Sequence, residues 1–207
     1  MSQTSDIFEK HYDDYRAQVA KVDFLSVKDR LGIEVKEDQA IIRFADEIYT
    51  VSGARITDAS GNRPGYAICV VLFKYILLCP DPAPYDINWV ALTEFKQTGQ
   101  FTNVNFFASE TEGLLKESFS GRLEAFVRAC KKMGATQSKL QMPWDLAMEM
   151  DVLPKIKILV LFNDTDEEFP ALCKVLFQKH AQFYLDPESM IIATSVMAKK
   201  LVNLGCG

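Results

Sequence analysis

Two short apolar runs in the last third of the chain constrain its fold more than any other feature. Residues 156–162 are apolar except for Lys157, and residues 172–177 have a similar character. Aliphatic, β-branched runs of this length that follow a breaker such as Pro154 are typical of buried strands. Too many residues separate the runs for a two-residue turn, so they predict an antiparallel hairpin with a long loop. The partly alternating segment 145–151 predicts a third strand beside it.

A helix is predicted after this hairpin. Asp186 is a suitable N-cap residue, and Pro187 suits the first helical position. Gly205 is placed to take the left-handed C-cap conformation. An apolar stripe at helical spacing predicts packing on the sheet. Its members are Met190, Thr194, Met197, Leu201 and Leu204.

The first half of the chain predicts two helices followed by short strands. Residues 6–23 have the pattern of an amphipathic helix, and residues 25–31 that of a shorter helix ending at Gly32. The predicted strands are 33–35, 40–44, 48–51 and 55–57. Residues 66–79 are apolar except for Lys74, and their length favours a buried helix over a central strand.

Two further helices are predicted in the middle of the chain. Ser109 and Glu112 have the spacing of a capping box, which predicts that a helix begins at Ser109. Residues 122–133 have a regular apolar stripe, and Gly134 is placed to end that helix.

The order of these elements indicates the fold class. Helices and antiparallel strands occur in separate groups without βαβ alternation, which predicts an α+β fold. We expect an antiparallel sheet, made of the C-terminal meander and small N-terminal strands, packed with about five helices. The chain is expected to form one domain over residues 1–207, and the proline-rich segment 80–86 is a possible boundary within it.

Composition narrows the classes of function. The net charge is -5 and there is no basic block, so we expect no nucleic-acid partner. The start of the chain is polar and acidic, and no apolar stretch is long enough to span a bilayer, so we expect a soluble cytoplasmic protein without membrane association. The five cysteines are widely spaced, which predicts reduced thiols and no bound cofactor.

The loop between the two apolar runs is the candidate site. It contains Asp164, Asp166, Glu167, Glu168 and Phe169. Oxygen ligands brought together by a loop can hold Mg²⁺ or Ca²⁺, although the spacing does not fit the twelve-residue calcium loop. The other interpretations are a solvated hairpin loop, a surface for a basic partner, and an acid/base pair, for which one carboxylate would need an apolar pocket to raise its pKa.

Two weaker candidates come from aromatic residues and histidines. An aromatic group either lines a ligand pocket or belongs to the core. It consists of Trp89, Phe95, Phe101, Phe106, Phe107 and Trp144. His11 is expected at the flank of the buried stripe of the first helix, and His180 is placed to cap a turn.

Four short segments of the central stretch carry a resemblance to a known family. They are Leu153-Pro154, Leu159-Val160-Leu161, the acidic segment 166–171 and Leu176-Phe177. Together they resemble the C-terminal signature of an uncharacterised prokaryotic family, catalogued as domain of unknown function 3786. The resemblance implies an origin in anaerobic bacteria or archaea, but it implies no established activity.

Two departures from the family pattern limit what this resemblance implies. Some members carry an added cysteine-rich region similar to the iron–sulfur part of corrinoid proteins. This chain has no clustered cysteines, so an iron–sulfur cluster is not expected. The aspartate expected after Phe177 is Gln178 here, which weakens a metal-binding interpretation of the acidic loop.

These observations give two hypotheses about function. The first is a non-catalytic binding or accessory protein whose acidic loop meets a protein partner or a small ligand, linked to anaerobic metabolism through the family resemblance. The alternative is an enzyme of unknown reaction that uses carboxylates of the 164–168 loop in a cleft, with or without a bound divalent cation.

Overall fold

The chain folds into helices and two antiparallel sheets, which confirms the α+β class. The N-terminal strands and the C-terminal meander lie in different sheets and not in the one sheet that was expected. The structure is a computed structural model that describes residues 3–95, 104–141 and 143–206. One sheet has four strands and the other has five. Within the described residues, no helix has the length and apolarity needed to cross a membrane.

The first part of the chain forms two helices and the four-stranded sheet. The helices are α1 (Gln3–Val19) and α2 (Phe24–Leu31). The strands, in spatial order, are β1 (Glu34–Lys36), β2 (Gln39–Phe44), β3 (Glu47–Val51) and β4 (Ile56–Thr57). Asp23 caps α2 by accepting hydrogen bonds from the backbone of Leu25 and Ser26. Gly32 ends α2 with a φ of 65°, as the sequence predicted.

The apolar stretch after this sheet is the helix α3 (Tyr66–Leu77), so the strand alternative for it was wrong. Its side chains at Val71, Leu72 and Phe73 are fully buried. A twelve-residue helix buried on several sides explains why the sequence is apolar all round rather than along one stripe.

The five-stranded sheet contains the predicted meander. Its strands are β5 (Trp89–Val90), β6 (Thr136–Gln137), β7 (Leu146–Leu153), β8 (Ile156–Asn163) and β9 (Leu172–Gln178). The spatial order is β5-β9-β8-β7-β6, with β8 in the centre. The short turn at Pro154-Lys155 joins β7 to β8, and the acidic loop joins β8 to β9. These two connections therefore lie at opposite ends of β8.

One helical segment differs from the prediction. Helix α4 (Val104–Phe107) continues through a π-helical turn (Ala108–Gly113) into α5 (Leu114–Phe119). Ser109 therefore lies inside a helical run, and the predicted capping box was wrong. The Glu112 carboxylate instead accepts a hydrogen bond from Val175 N at 3.0 Å and pairs with Lys174 Nζ at 3.0 Å.

The last two helices are α6 (Leu123–Lys132) and α7 (Pro187–Gly205). Asp186 caps α7 as predicted, because its carboxylate accepts a hydrogen bond from Ser189 N at 2.8 Å. The left-handed cap predicted at Gly205 was wrong, since this residue is helical. A Cβ at Gly205 would lie 2.4 Å from the Phe119 ring, so glycine is needed there for close packing.

Helix α7 packs against α3, α5 and α6 and against strand β7. Met190, Thr194, Met197 and Leu201 of the predicted stripe are buried. One hydrophobic cluster runs from Tyr12 to Leu201 and contains residues from both sides of the proline-rich segment 80–86. The five cysteines are all free thiols, and burial raises the pKa of Cys130 to about 12.

Candidate functional site

Asp164, the first acidic residue of the loop, caps a helix from a distant part of the chain. Its Oδ2 accepts a hydrogen bond from Leu123 N at 3.2 Å, at the start of α6. Its Oδ1 accepts hydrogen bonds from the backbone of Gly121 and of Thr165. The first backbone N–H groups of a helix lack partners within the helix, and a carboxylate is a strong acceptor for them. Asp164 therefore fixes the loop to α6.

Asp166 fixes the tip of the loop. Its Oδ1 accepts hydrogen bonds from Glu168 N at 2.8 Å and from Phe169 N at 2.7 Å. The Asp166 backbone N–H donates to the Phe169 carbonyl at 3.0 Å, which closes the turn. An aspartate that accepts bonds from the backbone two and three residues later is a common way to form a loop. The carboxylate of Asp166 thus shapes the tip.

Glu167, Glu168 and Phe169 are exposed at this tip. The Phe169 side chain is 65% exposed, although it is a large apolar residue. Within the described residues, no group of three or more histidine, cysteine, aspartate or glutamate side chains is arranged to hold a metal ion. The loop therefore presents two carboxylates and an aromatic ring to its surroundings.

A cleft of about 470 Å³ lies beside the base of the loop, lined in part by Asp145, Asp164, Asp166 and Phe169. Asp145 is also bound to the backbone there. Its Oδ2 accepts a hydrogen bond from Asp164 N at 2.8 Å, and its own N–H donates to Asn163 Oδ1 at 3.0 Å. Each aspartate in the cleft is therefore an acceptor for backbone N–H groups.

The predicted aromatic group does not form one pocket. Phe95 and Phe107 pack on Phe177 in the main core, with ring centroids 5.6 and 5.9 Å away. Trp89 and Trp144 pack on the opposite face of the sheet, against Leu159 and its neighbours. Phe106 is 41% exposed, and Phe101 lies outside the described residues. Within the described residues, the interpretation as core is correct for Phe95 and Phe107.

The two histidines have very different surroundings. His11 is exposed on α1, directly next to the buried Tyr12 of the stripe. His180 is buried. Its Nδ1 lies 2.8 Å from the Asp86 carbonyl oxygen, and its Nε2 lies 3.1 Å from the Lys155 carbonyl oxygen. His180 therefore links the 80–86 loop to the β7–β8 turn, which agrees with the expected structural role at a turn.

The residues around this turn lie far apart in the sequence, and their grouping was not predicted. Tyr75 is fully buried in α3, and its hydroxyl donates to the Leu31 carbonyl at 2.6 Å and accepts from Lys155 N at 3.1 Å. Burial raises the pKa of Tyr75, so the hydroxyl stays protonated. A buried tyrosine normally has a hydrogen-bond partner for its hydroxyl, and this was the signal available in the sequence.

The fold and these contacts define an α+β protein with two antiparallel sheets whose acidic loop is attached to a helix through Asp164. The chain belongs to the family described as Domain of unknown function (DUF3786), whose model matches residues 23–200. This confirms the resemblance carried by the central stretch. Comparison with curated proteins and with solved structures gave no match.

Proposed function

We propose that this protein is a non-catalytic binding or accessory protein that meets a protein partner through the tip of its acidic loop. The observation that carries the proposal is the exposure of Phe169 on a loop whose backbone is fixed by Asp164 and Asp166. A surface that is already ordered before binding loses less conformational entropy when a partner docks.

The chemistry of the tip suggests the kind of partner. Phe169 supplies an apolar anchor of the type that dominates binding energy in protein interfaces. Glu167 and Glu168 precede it in the loop and add negative charge, which favours a partner with basic groups near an apolar pocket. We also propose a cytoplasmic location, and the family resemblance links the accessory role to anaerobic prokaryotes.

The alternative is an enzyme that uses the loop carboxylates, and the cleft beside the loop is the observation that supports it. Against it, Asp145, Asp164 and Asp166 each accept a backbone hydrogen bond that holds the loop in place. Carboxylates in that role stabilise the structure. The binding function therefore accounts for more of the loop geometry.

Affinity purification from the native host tests the binding function. The bait proteins are the wild type, Phe169→Ala, and Leu25→Ala as a matched control, because Leu25 is an exposed apolar residue on α2. Quantitative mass spectrometry should show a protein that is enriched with the wild type and the control and is lost with Phe169→Ala. Equal recovery of every protein with all three baits would contradict the proposal.

A second variant tests the contribution of charge. Glu167→Gln/Glu168→Gln keeps the size of both side chains and removes their charges. Recovery of the same partner should fall with this variant, and recovery with the wild type should fall as salt is raised. Recovery that depends on neither change would show that the tip charges have no part in recognition.

A further inference from the structure

The opposite end of β8 carries a second concave site. A cavity of about 310 Å³ lies beside the Pro154-Lys155 turn, and its walls include Tyr85, His180 and Tyr184. This volume is at the lower end of the range for pockets that bind small molecules. The acidic loop is not part of this cavity.

The β7–β8 turn is held rigidly at one wall of the cavity. The Lys155 backbone N–H donates to the Tyr75 hydroxyl, and its carbonyl lies 3.1 Å from His180 Nε2. Gly32 leaves space for the Lys155 side chain, since a Cβ there would lie 3.0 Å from Lys155 Cε. Residues held by such contacts are preorganised, which is the property expected of a binding site.

The cavity carries a local excess of positive charge. Lys157 pairs with Asp151 at 3.0 Å, so these two lining residues balance each other. Lys155 also lines the cavity and forms no ion pair with any described residue. The whole chain has a net charge of -5, so this excess is opposite to the overall charge. An anionic group is therefore the favoured occupant.

Tyr184 provides an independent indication of a ligand. It is 1% exposed, and its hydroxyl forms no hydrogen bond with the described residues. No buried side-chain oxygen in the described part of the chain lacks a partner, so this hydroxyl keeps a small exposed area. Tyr184 is one of the residues that line the cavity. Burial raises the pKa of Tyr184, which keeps the hydroxyl available as a donor.

The remaining walls are suited to an apolar body. Tyr85 is 84% exposed, and its ring lies nearly parallel to the His180 imidazole, with centroids 6.2 Å apart. Pro84 and Pro154 add rigid apolar surface to the same cavity. Aromatic and proline surfaces of this kind accept flat apolar groups.

We propose that this cavity binds a small carboxylate with a flat apolar body. The Lys155 ammonium and the Tyr184 hydroxyl bind the carboxylate, while Tyr85, Pro84 and Pro154 contact the body of the ligand. His180 positions the turn through its two carbonyl contacts and is a positioning residue for the site. This site is separate from the acidic loop, so its test does not depend on the proposed partner surface.

Calorimetric titration with benzoate tests this site. Benzamide has the same shape without the charge, and acetate has the charge without the flat body. We expect saturable one-to-one binding of benzoate, with both analogues at least about tenfold weaker, because each lacks one of the two recognised features. Absence of saturable benzoate binding to the wild type, or equal affinity for benzamide, would overturn the proposal.

Two variants and a control connect the binding to the named residues. Lys155→Met should lower benzoate affinity by about tenfold or more, and Tyr184→Phe should lower it by roughly three- to tenfold, as expected for loss of one hydrogen bond. The control is Lys179→Met, which removes a lysine that pairs with Asp86 and does not line the cavity. Circular dichroism confirms that each variant is folded. Equal affinity of all four proteins would contradict the assignment of these residues.

Discussion

The two ends of strand β8 differ in how their polar groups are used. At one end, Asp164 and Asp166 accept hydrogen bonds from the backbone of their own loop and of the segment that begins α6. At the other end, the Lys155 ammonium has no ion pair and the Tyr184 hydroxyl has no hydrogen bond within the described residues. The acidic loop has the higher density of charge in the sequence, but the carboxylates of Asp164 and Asp166 are already bound to backbone N–H groups.

A high density of charged residues does not by itself make a ligand site, because the charged groups can already be bound within the protein. A carboxylate that already accepts backbone hydrogen bonds stabilises a loop, and replacing those bonds by a ligand has a cost. A polar group at the wall of a cavity that has no partner within the protein exchanges only water for a ligand, so no bond within the protein is lost. We therefore propose that the exposed tip of the acidic loop meets a macromolecule and that the Lys155 end binds a small ligand.

The largest effect is expected from Tyr75→Phe, which removes the hydroxyl between Leu31 and Lys155. The buried groups that lose this partner make the expected loss about 2–3 kcal/mol in the free energy of unfolding. Urea denaturation measures it. Tyr85→Phe is the control, because the Tyr85 side chain is 84% exposed. This substitution should change the free energy of unfolding by less than about 0.5 kcal/mol. Similar values for both variants would show that the Lys155 turn is not anchored by Tyr75.

The next effect is expected from Asp164→Ala, which removes the cap of α6. Loss of an N-cap acceptor typically costs about 1–2 kcal/mol. Glu167→Ala removes the same charge from the same loop and should cost less than about 0.5 kcal/mol. Thermal and urea unfolding of both variants measure the difference. If the two variants lose equal stability, the contrast between a structural carboxylate and an exposed one fails.

A smaller, local effect is expected from Asp166→Ala. The variant loses the acceptor for Glu168 N and Phe169 N, so both amides should exchange with deuterium faster. Global stability should fall by less than about 1 kcal/mol, because the loop is exposed. Hydrogen exchange followed by NMR gives both values. Unchanged protection of these amides would contradict the role assigned to Asp166.

The smallest effect on stability is expected from Lys155→Met. The side chain has no ion pair with described residues, so the free energy of unfolding should change by less than about 0.5 kcal/mol. The same variant should lose most of its affinity for benzoate. A large loss of stability with unchanged affinity would make Lys155 a structural residue and would remove the contrast between the two ends.

Much of the fold was predictable because its signals are local. The hairpin β8–β9 follows from two apolar runs, and α7 begins where Asp186 and Pro187 place its cap and first turn. The failures came from contacts between distant segments. Gly205 has the position of a C-cap residue, but glycine is needed there because the Phe119 ring leaves no space for a Cβ. Glu112 accepts a hydrogen bond from β9 instead of capping a helix, because the helical run begins before Ser109.

The candidate site was predictable only in part for the same reason. The acidic residues are adjacent in sequence, so their common location was evident. Nothing local indicates that Asp164 caps a helix that begins about forty residues earlier. The other site brings together Tyr85, Lys155 and Tyr184, which are far apart in sequence and meet only after β7, β8 and β9 have paired.

The most direct test of this account is an NMR titration that observes both ends of β8 in one experiment. Amide spectra are recorded as benzoate, and in a separate sample Ca²⁺, is added to the wild-type protein. The account predicts saturable shifts with benzoate at residues 83–86, 155 and 178–184, with residues 164–169 unchanged by either addition. Saturable shifts confined to residues 164–169 with either addition would contradict it, because the acidic loop would then be the ligand site.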